Sequence, residues 1–385
     1  MSRPTPPRAA ADALDGPALR GFLGRSLLLT RDASVTEIEA LCGLAEAFEA
    51  FDRARLPTPF FRDELFYALF FDQSTRTKSS WAGAAARLGA HPNIVDGSTT
   101  QVSHGETASE TGAMLGMNAH ALGVRHDLIL GEGNRFMRDA RSGIEGYLRD
   151  TGDARIVPVV NLQCDVDHPT QTLADLCWLR EKFPGGPAGK TVAISWAYSP
   201  SYAKPLSVPQ GLIMLLARFG MNVRLAHPDG YGLMDDCVMF ARGSAEASGG
   251  SFTVTGRMAE AFDGADVVYP KSWGPYDLMS QRVEAHKEKD GDRMKAIERL
   301  ALERNREHAD WICDEERMGM TRGGRALYMH CLPADIGAEV APEVFARARL
   351  DVAREANKKV YVIMALLAAA KAGDLRKRFG DALAG

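Results

Sequence analysis

A hydroxyl-rich segment with one arginine follows the apolar run 66–71. It contains Ser74, Thr75, Arg76 and Thr77, and residues 78–88 then become alanine-rich, as in a helix. A helix that starts here would direct free N–H groups and the positive end of its dipole at one point, which suits a phosphate. The hydroxyls and the planar guanidinium would add hydrogen bonds to phosphate oxygens. The segment predicts a site for a small phosphorylated molecule, although hydroxyl residues before a helix are also ordinary N-caps.

Polar groups follow other apolar runs in the same way. They are Arg125 after 121–124, His168-Pro169-Thr170-Gln171 after 157–161, Lys271-Ser272-Trp273 after 267–269, and His330-Cys331-Leu332-Pro333 after 326–329. Each has a structural interpretation when it is taken alone: a surface ion pair for the arginine, a loop histidine, a small buried thiol, and a lysine packed beside an aromatic ring. Their joint occurrence favours a shared site.

The elements that must position these groups alternate between β-rich and helical segments. Candidate strands are 65–71, 121–124, 157–161, 191–196, 222–226, 267–269 and 326–329, and candidate helices are 103–117, 170–182, 209–219 and 292–306. Such alternation predicts an α/β fold with parallel sheets flanked by helices. Ligands of these sheets bind beyond the carboxyl ends of the strands, where the polar groups above are expected.

The length of 385 residues predicts two domains. We expect a first domain over residues 1–165, in which 1–15 form a loose leader, and a second domain over 166–345. Residues 346–385 are expected to form a C-terminal segment whose helix, at about 356–367, packs back on the first domain.

Composition excludes several classes of protein. A net charge of −4 gives no basic surface for nucleic acid or an acidic membrane, and the apolar stretch 360–370 is too short to span a bilayer. The six cysteines include no CxxC pair, which argues against zinc and disulfides and for a cytoplasmic protein. No metal-ligand spacing and no GxxxxGK[ST] loop occurs, so we expect neither a metal nor a kinase-type phosphate loop.

The four motifs together resemble the ordered signature of the aspartate/ornithine carbamoyltransferase superfamily, from about residue 25 to 370. The resemblance implies two α/β domains with the active site between them, and carbamoyl transfer between carbamoyl phosphate and an amine without a cofactor. It also implies a homotrimer in which a neighbouring subunit completes each site. The loop 101–107 matches the segment that crosses between subunits, so Gln101 and His104 are candidates for that contact.

The resemblance also implies roles for individual residues. The phosphate would contact Ser74, Thr75, Arg76 and Arg125; the carbonyl oxygen would contact Thr77, Arg125 and His168, the three catalytic candidates; the carbamoyl NH₂ would contact Gln171 and the carbonyl of Leu332. Cys331 would contact substrate, and direct attack by the amine is favoured over a covalent intermediate on its sulfur. Lys359 stands near an arginine position of the family, and Lys78 replaces the arginine that follows the STRT core.

The second-substrate site has its own signature. Residues 271–273 and 196–205 resemble the knotted subgroup that includes acetylornithine carbamoyltransferase, which implies a trefoil knot at 200–209 in the second domain. That similarity assigns the second substrate to Trp196, Tyr198, Lys271, Ser272, Trp273 and Cys331. The DxxxSMG motif of ornithine-specific members is absent, so ornithine is not the expected acceptor.

Three further segments, 161–165, 203–211 and 328–330, resemble a carbamoyltransferase encoded among bacterial purine-catabolism genes. They imply a ureido acid, such as 2,3-diureidopropionate, cleaved by phosphate. An N-acylornithine acceptor and a catalytically silent scaffold are the alternatives.

Overall fold

The protein, described here by a computed structural model for residues 5–384, contains two parallel β-sheets flanked by helices. The first sheet has the order β2-β1-β3-β4 and comprises β1 (Leu65–Phe70), β2 (His91–Asp96), β3 (Ala121–His126) and β4 (Val159–Cys164). The second has the order β7-β6-β5-β8-β9 and comprises β5 (Thr191–Trp196), β6 (Asn222–Ala226), β7 (Ser251–Thr255), β8 (Val267–Lys271) and β9 (Leu327–Tyr328). The predicted fold class is confirmed.

Helices connect the strands and cover the sheets. Those up to the first strand of the second sheet are α1 (Pro7–Asp12), α2 (Gly16–Arg20), α3 (Val35–Arg53), α4 (Arg76–Arg87), α5 (Ala108–Asn118), α6 (Gly133–Thr151) and α7 (Pro169–Lys182). The later ones are α8 (Ser207–Arg218), α9 (Asp235–Ser248), α10 (Met258–Phe262), α11 (Tyr276–Lys287), α12 (Gly291–Arg306), α13 (Glu315–Met320), α14 (Pro342–Lys371) and α15 (Leu375–Ala384). No helix within residues 5–384 is long and apolar enough to cross a bilayer.

Two strands were not predicted from the sequence. Both β2 and β7 lie at an edge of their sheet and are largely exposed, so they carry no continuous apolar run. Pro92 is tolerated in β2 because an edge strand leaves one row of backbone groups unpaired. Conversely, β3 and β8 extend further than predicted, so Arg125 and Lys271 are the last or next-to-last residues of strands.

The segment 7–15 differs from the expected loose leader. Here α1 packs against α3 and α15, and Ala10, Ala11 and Leu14 are buried. The alanines supply the small apolar face that this packing needs. The neighbouring prolines and arginines make the segment look polar and irregular, so the sequence did not predict a packed helix here. Residues 1–4 of the predicted leader lie outside the described residues.

The 30-residue helix α14 extends far beyond the predicted 356–367. It starts near β9 and packs against α3, α4 and α7, which flank the first sheet. A single helix therefore links both sheets and carries residue 359 to the start of α4. The boundary at residue 165 stays a prediction, because α7 contacts α3 and α14 and also α8.

Helix α8, which packs on the second sheet, forms hydrogen bonds to segments around the first sheet. Ser207 accepts a hydrogen bond from the side chain of Gln163 at 2.9 Å, and Gln210 donates to the carbonyl of Asp165 at 3.0 Å. Arg218 donates to the carbonyl of Thr30 at 3.0 Å. These contacts, the first two of them buried, join α8 to segments of the first sheet's side, and the strand ends of both sheets line one cleft.

Candidate active site

A cleft of about 540 Å³, including the space open at its mouth, lies at the carboxyl ends of both sheets. It is lined by Gln73, Ser74, Arg76, Thr77, Arg125, Gln163, His168, Tyr202, Lys204, Pro205, Val208, Lys271, Cys331, Leu332, Pro333 and Lys359. Nine predicted site residues therefore come together: Ser74, Arg76, Thr77, Arg125, His168, Lys271, Cys331, Leu332 and Lys359.

The N-terminus of α4 forms one wall of this cleft. Ser74 caps the helix, since its hydroxyl accepts the N–H of Thr77 at 3.3 Å. Arg76 is half-buried, and its pKa is lowered by burial and by the nearby charge of Arg125. Thr75 is exposed and does not line the cleft, and Lys78 lies with its ammonium 5.2 Å from the ring centre of Phe70. The segment thus caps a helix and also faces the cleft, while its contact with a phosphate stays a prediction.

Arg125 projects from the end of β3 beside a buried carboxyl group. Its guanidinium lies 2.9 Å from Asp127 Oδ2. Burial raises the pKa of Asp127 well above its usual value despite this arginine, so the carboxyl is a weak counter-charge. The Nε of Arg125 has no hydrogen-bond partner within residues 5–384. Arg125 is therefore held in place with donor capacity left for a ligand.

His168 is buried at the start of α7, and its Nδ1 lies 3.2 Å from the hydroxyl of Thr170. Burial and the cations of Lys359, Arg125 and Arg76 hold its pKa well below the usual value, so the imidazole is neutral at physiological pH. The Thr170 hydroxyl is nearer to this nitrogen than to the carbonyl of Leu162, at 3.5 Å. If that hydroxyl donates to Nδ1, the histidine carries its proton on Nε2.

Gln171 lies behind this wall and does not line the cleft. Its Nε2 donates to Asp175 Oδ1 at 2.7 Å, which leaves its side-chain oxygen as the remaining acceptor. Its predicted contact with a carbamoyl NH₂ stays a prediction.

The tetrad 330–333 forms the opposite wall. His330 is fully buried, and its Nδ1 accepts the N–H of Leu332 at 2.8 Å, so this histidine shapes the loop. Leu332 has a φ of +56°, which is uncommon for a branched residue. Such a loop places Cys331 and Leu332 at the cleft while His330 stays behind them.

Two lysines from the second sheet's side of the cleft differ in their partners. Lys204 lies 2.9 Å from both Asp335 and Glu339; burial lowers its pKa, but these carboxylates raise it above the usual value overall. Lys271 donates to the carbonyl of Ser272 at 2.6 Å, and burial followed by the charge of Lys204 lowers its pKa. Lys271 makes no ion pair with a carboxylate within the described chain.

Four residues assigned to the second substrate do not line the cleft. Trp196 and Trp273 are fully buried; the indole N–H of Trp196 donates to the carbonyl of Trp273 at 2.9 Å, and that of Trp273 to the carbonyl of Tyr231 at 2.8 Å. Ser272 is buried and gives its N–H to Glu339 at 2.7 Å, while half-buried Tyr198 is bonded through its N–H to Trp311. All four residues pack away from the cleft, and their assignment to the second substrate stays a prediction.

Gln101 also lies away from this cleft, in an exposed 3₁₀ turn, Gln101–His104. The seven cleft residues that were not predicted individually are Gln73, Gln163, Tyr202, Lys204, Pro205, Val208 and Pro333. Lys204 could have been found, since it is the one lysine in the proline-bearing loop 196–205. No cluster of three or more His, Cys, Asp or Glu side chains suited to a metal ion occurs in residues 5–384.

Comparison with known proteins gives the family. Residues 25–181 match the carbamoyl phosphate-binding domain of aspartate/ornithine carbamoyltransferases, and residues 206–370 match the Asp/Orn-binding domain. The chain belongs to the aspartate/ornithine carbamoyltransferase family. The predicted resemblance is confirmed, and this protein is a carbamoyltransferase.

Individual relatives can be aligned over nearly the whole of this carbamoyltransferase. It is 46% identical over 356 residues to the carbamoyltransferase-family protein YgeW of Escherichia coli O157:H7, covering 90% of each chain. It is 28% identical to the ornithine carbamoyltransferase of Thermotoga maritima, covering 90% of this chain and 97% of that one. A crystal structure of acetylornithine transcarbamylase complexed with acetylcitrulline is similar, with a TM-score of 0.72 and 25% identity over 90% of this chain and 99% of that one.

Proposed function

We propose that this carbamoyltransferase moves a carbamoyl group between carbamoyl phosphate and an amino or ureido acid. The charge balance of the cleft carries the proposal. Five basic side chains line it: Arg76, Arg125, Lys204, Lys271 and Lys359. In residues 5–384 only Arg125 and Lys204 have a carboxylate partner. Buried cations need counter-charges, which a phosphate dianion and a substrate carboxylate would supply.

The phosphate end of the cleft is expected at α4. There Ser74 and Arg76 line the cleft at the N-terminus of α4, where the N–H of Thr77 is bonded to Ser74 and the other first-turn N–H groups have no partner within the helix. Phosphate binding combines such backbone donors with charge-assisted hydrogen bonds. When the bond between the carbamoyl carbon and the bridging phosphate oxygen breaks, these groups would hold the leaving phosphate. The phosphate gains the proton that the attacking nitrogen loses.

The carbonyl oxygen becomes negative when the amine adds to the carbamoyl carbon. Thr77, Arg125 and His168 line the same cleft and can each donate a hydrogen bond to it. A neutral His168 with its proton on Nε2 would be a donor that adds no further positive charge. One such donor in a preorganised site is worth about 3 kcal/mol of transition-state stabilisation.

The acceptor is expected beside Lys271. Its unpaired ammonium suits a substrate carboxylate or ureido oxygen, and Tyr202 and Lys204 complete that side. We favour a ureido acid such as 2,3-diureidopropionate, cleaved by phosphate in a purine-catabolism sequence, as the resemblance of segments 161–165, 203–211 and 328–330 implies. Similarity to acetylornithine transcarbamylase keeps an N-acylornithine as the second candidate.

The proposed assembly is a cytoplasmic homotrimer of knotted chains. The exposed turn 101–104 does not reach its own cleft, so Gln101 and His104 are available to a neighbouring subunit. The segment 197–206 is bonded to the loop after β9 through Lys204 and Asp335, as a chain threaded past that loop would be. Sedimentation analysis tests the trimer.

A panel assay tests the proposed function. Phosphate release from carbamoyl phosphate is measured with amines and N-acylornithines, and carbamoyl phosphate formation is measured with ureido acids and phosphate. Turnover with one compound supports the proposal and names the substrate. Carbamoyl phosphate that gives no heat at millimolar concentration in calorimetry would instead favour a silent scaffold.

A further inference from the structure

Lys359 is a buried lysine without a counter-ion. It lies on α14 with 3% of its surface exposed, and its Nζ contacts the neutral hydroxyl of Thr77 at 3.4 Å. It forms no ion pair with any carboxylate of residues 5–384. The neighbouring residue shows the contrast: Lys358 is equally buried but lies 2.5 Å from Glu49 and also pairs with Glu181.

Burial and two nearby positive charges oppose the protonation of Lys359, while Cys331 and Asp175 favour it. Arg76 on α4 and Arg125 on β3 are close enough to lower its pKa, and the neutral His168 adds no negative charge. Burial is the largest cause, and it brings the pKa of Lys359 to about 7. An ammonium in such a place is stable only if an anion joins it.

The acidic groups near Lys359 are already engaged. Asp175 on α7 accepts from Gln171 at 2.7 Å and from Tyr269 at 3.2 Å, and its pKa is raised to about 6 by burial. Glu355, one turn earlier on α14, accepts the N–H of His330, and burial and Asp175 raise its pKa well above the usual value. Cys331 is the remaining titratable group near the ammonium.

We propose that Lys359 takes up a proton when the phosphoryl group of carbamoyl phosphate enters the cleft, so that phosphate affinity is linked to pH through this side chain. The inference rests on the proposed function. Phosphate arrives as a dianion between Arg76, Arg125 and Lys359, and its negative charge offsets both the burial and the repulsion that disfavour the ammonium of Lys359. Above neutral pH the proton must come from solvent, so affinity falls as pH rises.

Calorimetry measures this proton directly. Carbamoyl phosphate is titrated into the full-length protein at pH 8 in two buffers of different ionisation enthalpy, which gives the number of protons bound. With a pKa near 7, Lys359 is about nine-tenths uncharged at pH 8, so we expect uptake of about 0.9 proton per cleft. The apparent Kd should rise about fivefold from pH 7 to pH 8 and about tenfold more by pH 9.

Two variants assign the proton. Lys359→Arg keeps the charge at all these pH values, so uptake should vanish and the Kd should become nearly independent of pH. Lys358→Arg, at the neighbouring buried position, should retain the uptake of the unmodified protein. Uptake that survives in Lys359→Arg would assign the proton to His168 or Lys271 and overturn the proposal.

The unmodified protein by itself can still refute the inference if a variant fails to fold. Carbamoyl phosphate that binds without proton uptake overturns this inference and leaves the proposed function intact. No binding at all contradicts both.

Discussion

Replacing Glu339 by glutamine should destabilise the protein strongly. Glu339 is fully buried and accepts the N–H groups of Ser272 and Asp335, each at 2.7 Å. It also lies 2.9 Å from the ammonium of Lys204. The amide of Glu339→Gln would place N–H groups against at least one of these donors and leave Lys204 with Asp335 alone.

The expected cost follows from the loss of one partner of a buried pair, which is about 3 to 5 kcal/mol of unfolding free energy.

The pH dependence of this cost gives a second test. Lys204 and His330 favour the ionised form, so the pKa of Glu339 lies below its usual value of 4.5 even though burial, the largest single influence, raises it. A carboxyl with a lowered pKa stabilises the fold above its unfolded pKa, and that contribution is lost as pH falls. The difference in unfolding free energy between the unmodified protein and Glu339→Gln should therefore have its full value at pH 7 and become smaller below about pH 4.

Chemical denaturation at pH 7, 4 and 3 measures both effects. Glu315→Gln is the matched control, because Glu315 pairs with Arg347 at an exposed position and its loss should leave the denaturation midpoint unchanged. A loss under about 1 kcal/mol for Glu339→Gln at pH 7, or a difference constant with pH, would refute the reasoning.

Three other substitutions have defined outcomes. Arg76→Ala should raise the Kd for carbamoyl phosphate at least about a hundredfold in calorimetry, since two charge-assisted bonds of about 1.5–3 kcal/mol each are lost; an unfolded variant would make Arg76 structural. Lys271→Met should raise KM for the acceptor about tenfold or more and change carbamoyl phosphate affinity little, as loss of one charge-assisted bond requires. Equal effects on both ligands would place Lys271 outside the acceptor side. Trp196→Ala should lower the unfolding free energy by about 3–5 kcal/mol in urea titration because the indole is fully buried, and a stable variant with altered acceptor KM would restore Trp196 to the substrate site.

Local sequence patterns predicted the buried elements, because a buried strand or helix needs apolar side chains. The seven predicted strands all exist, and β5 and β6 have the predicted bounds. Edge strands β2 and β7 escaped prediction because exposed residues carry no apolar pattern. The helix α1 escaped for a related reason, since only its alanine face is buried.

The sequence by itself determined the family, the fold class and most of the cleft's chemical groups, because motifs at strand ends converge in any parallel sheet. Only the tertiary structure decided which members of a motif face the cleft. Of Lys271, Ser272 and Trp273, the lysine lines the cleft and the other two are buried in the core. Only the packing of α14 on α4 leaves Lys359 beside Thr77 without a carboxylate, while adjacent Lys358 is paired. Burial and neighbouring charge depend on distant segments, so no local pattern records them.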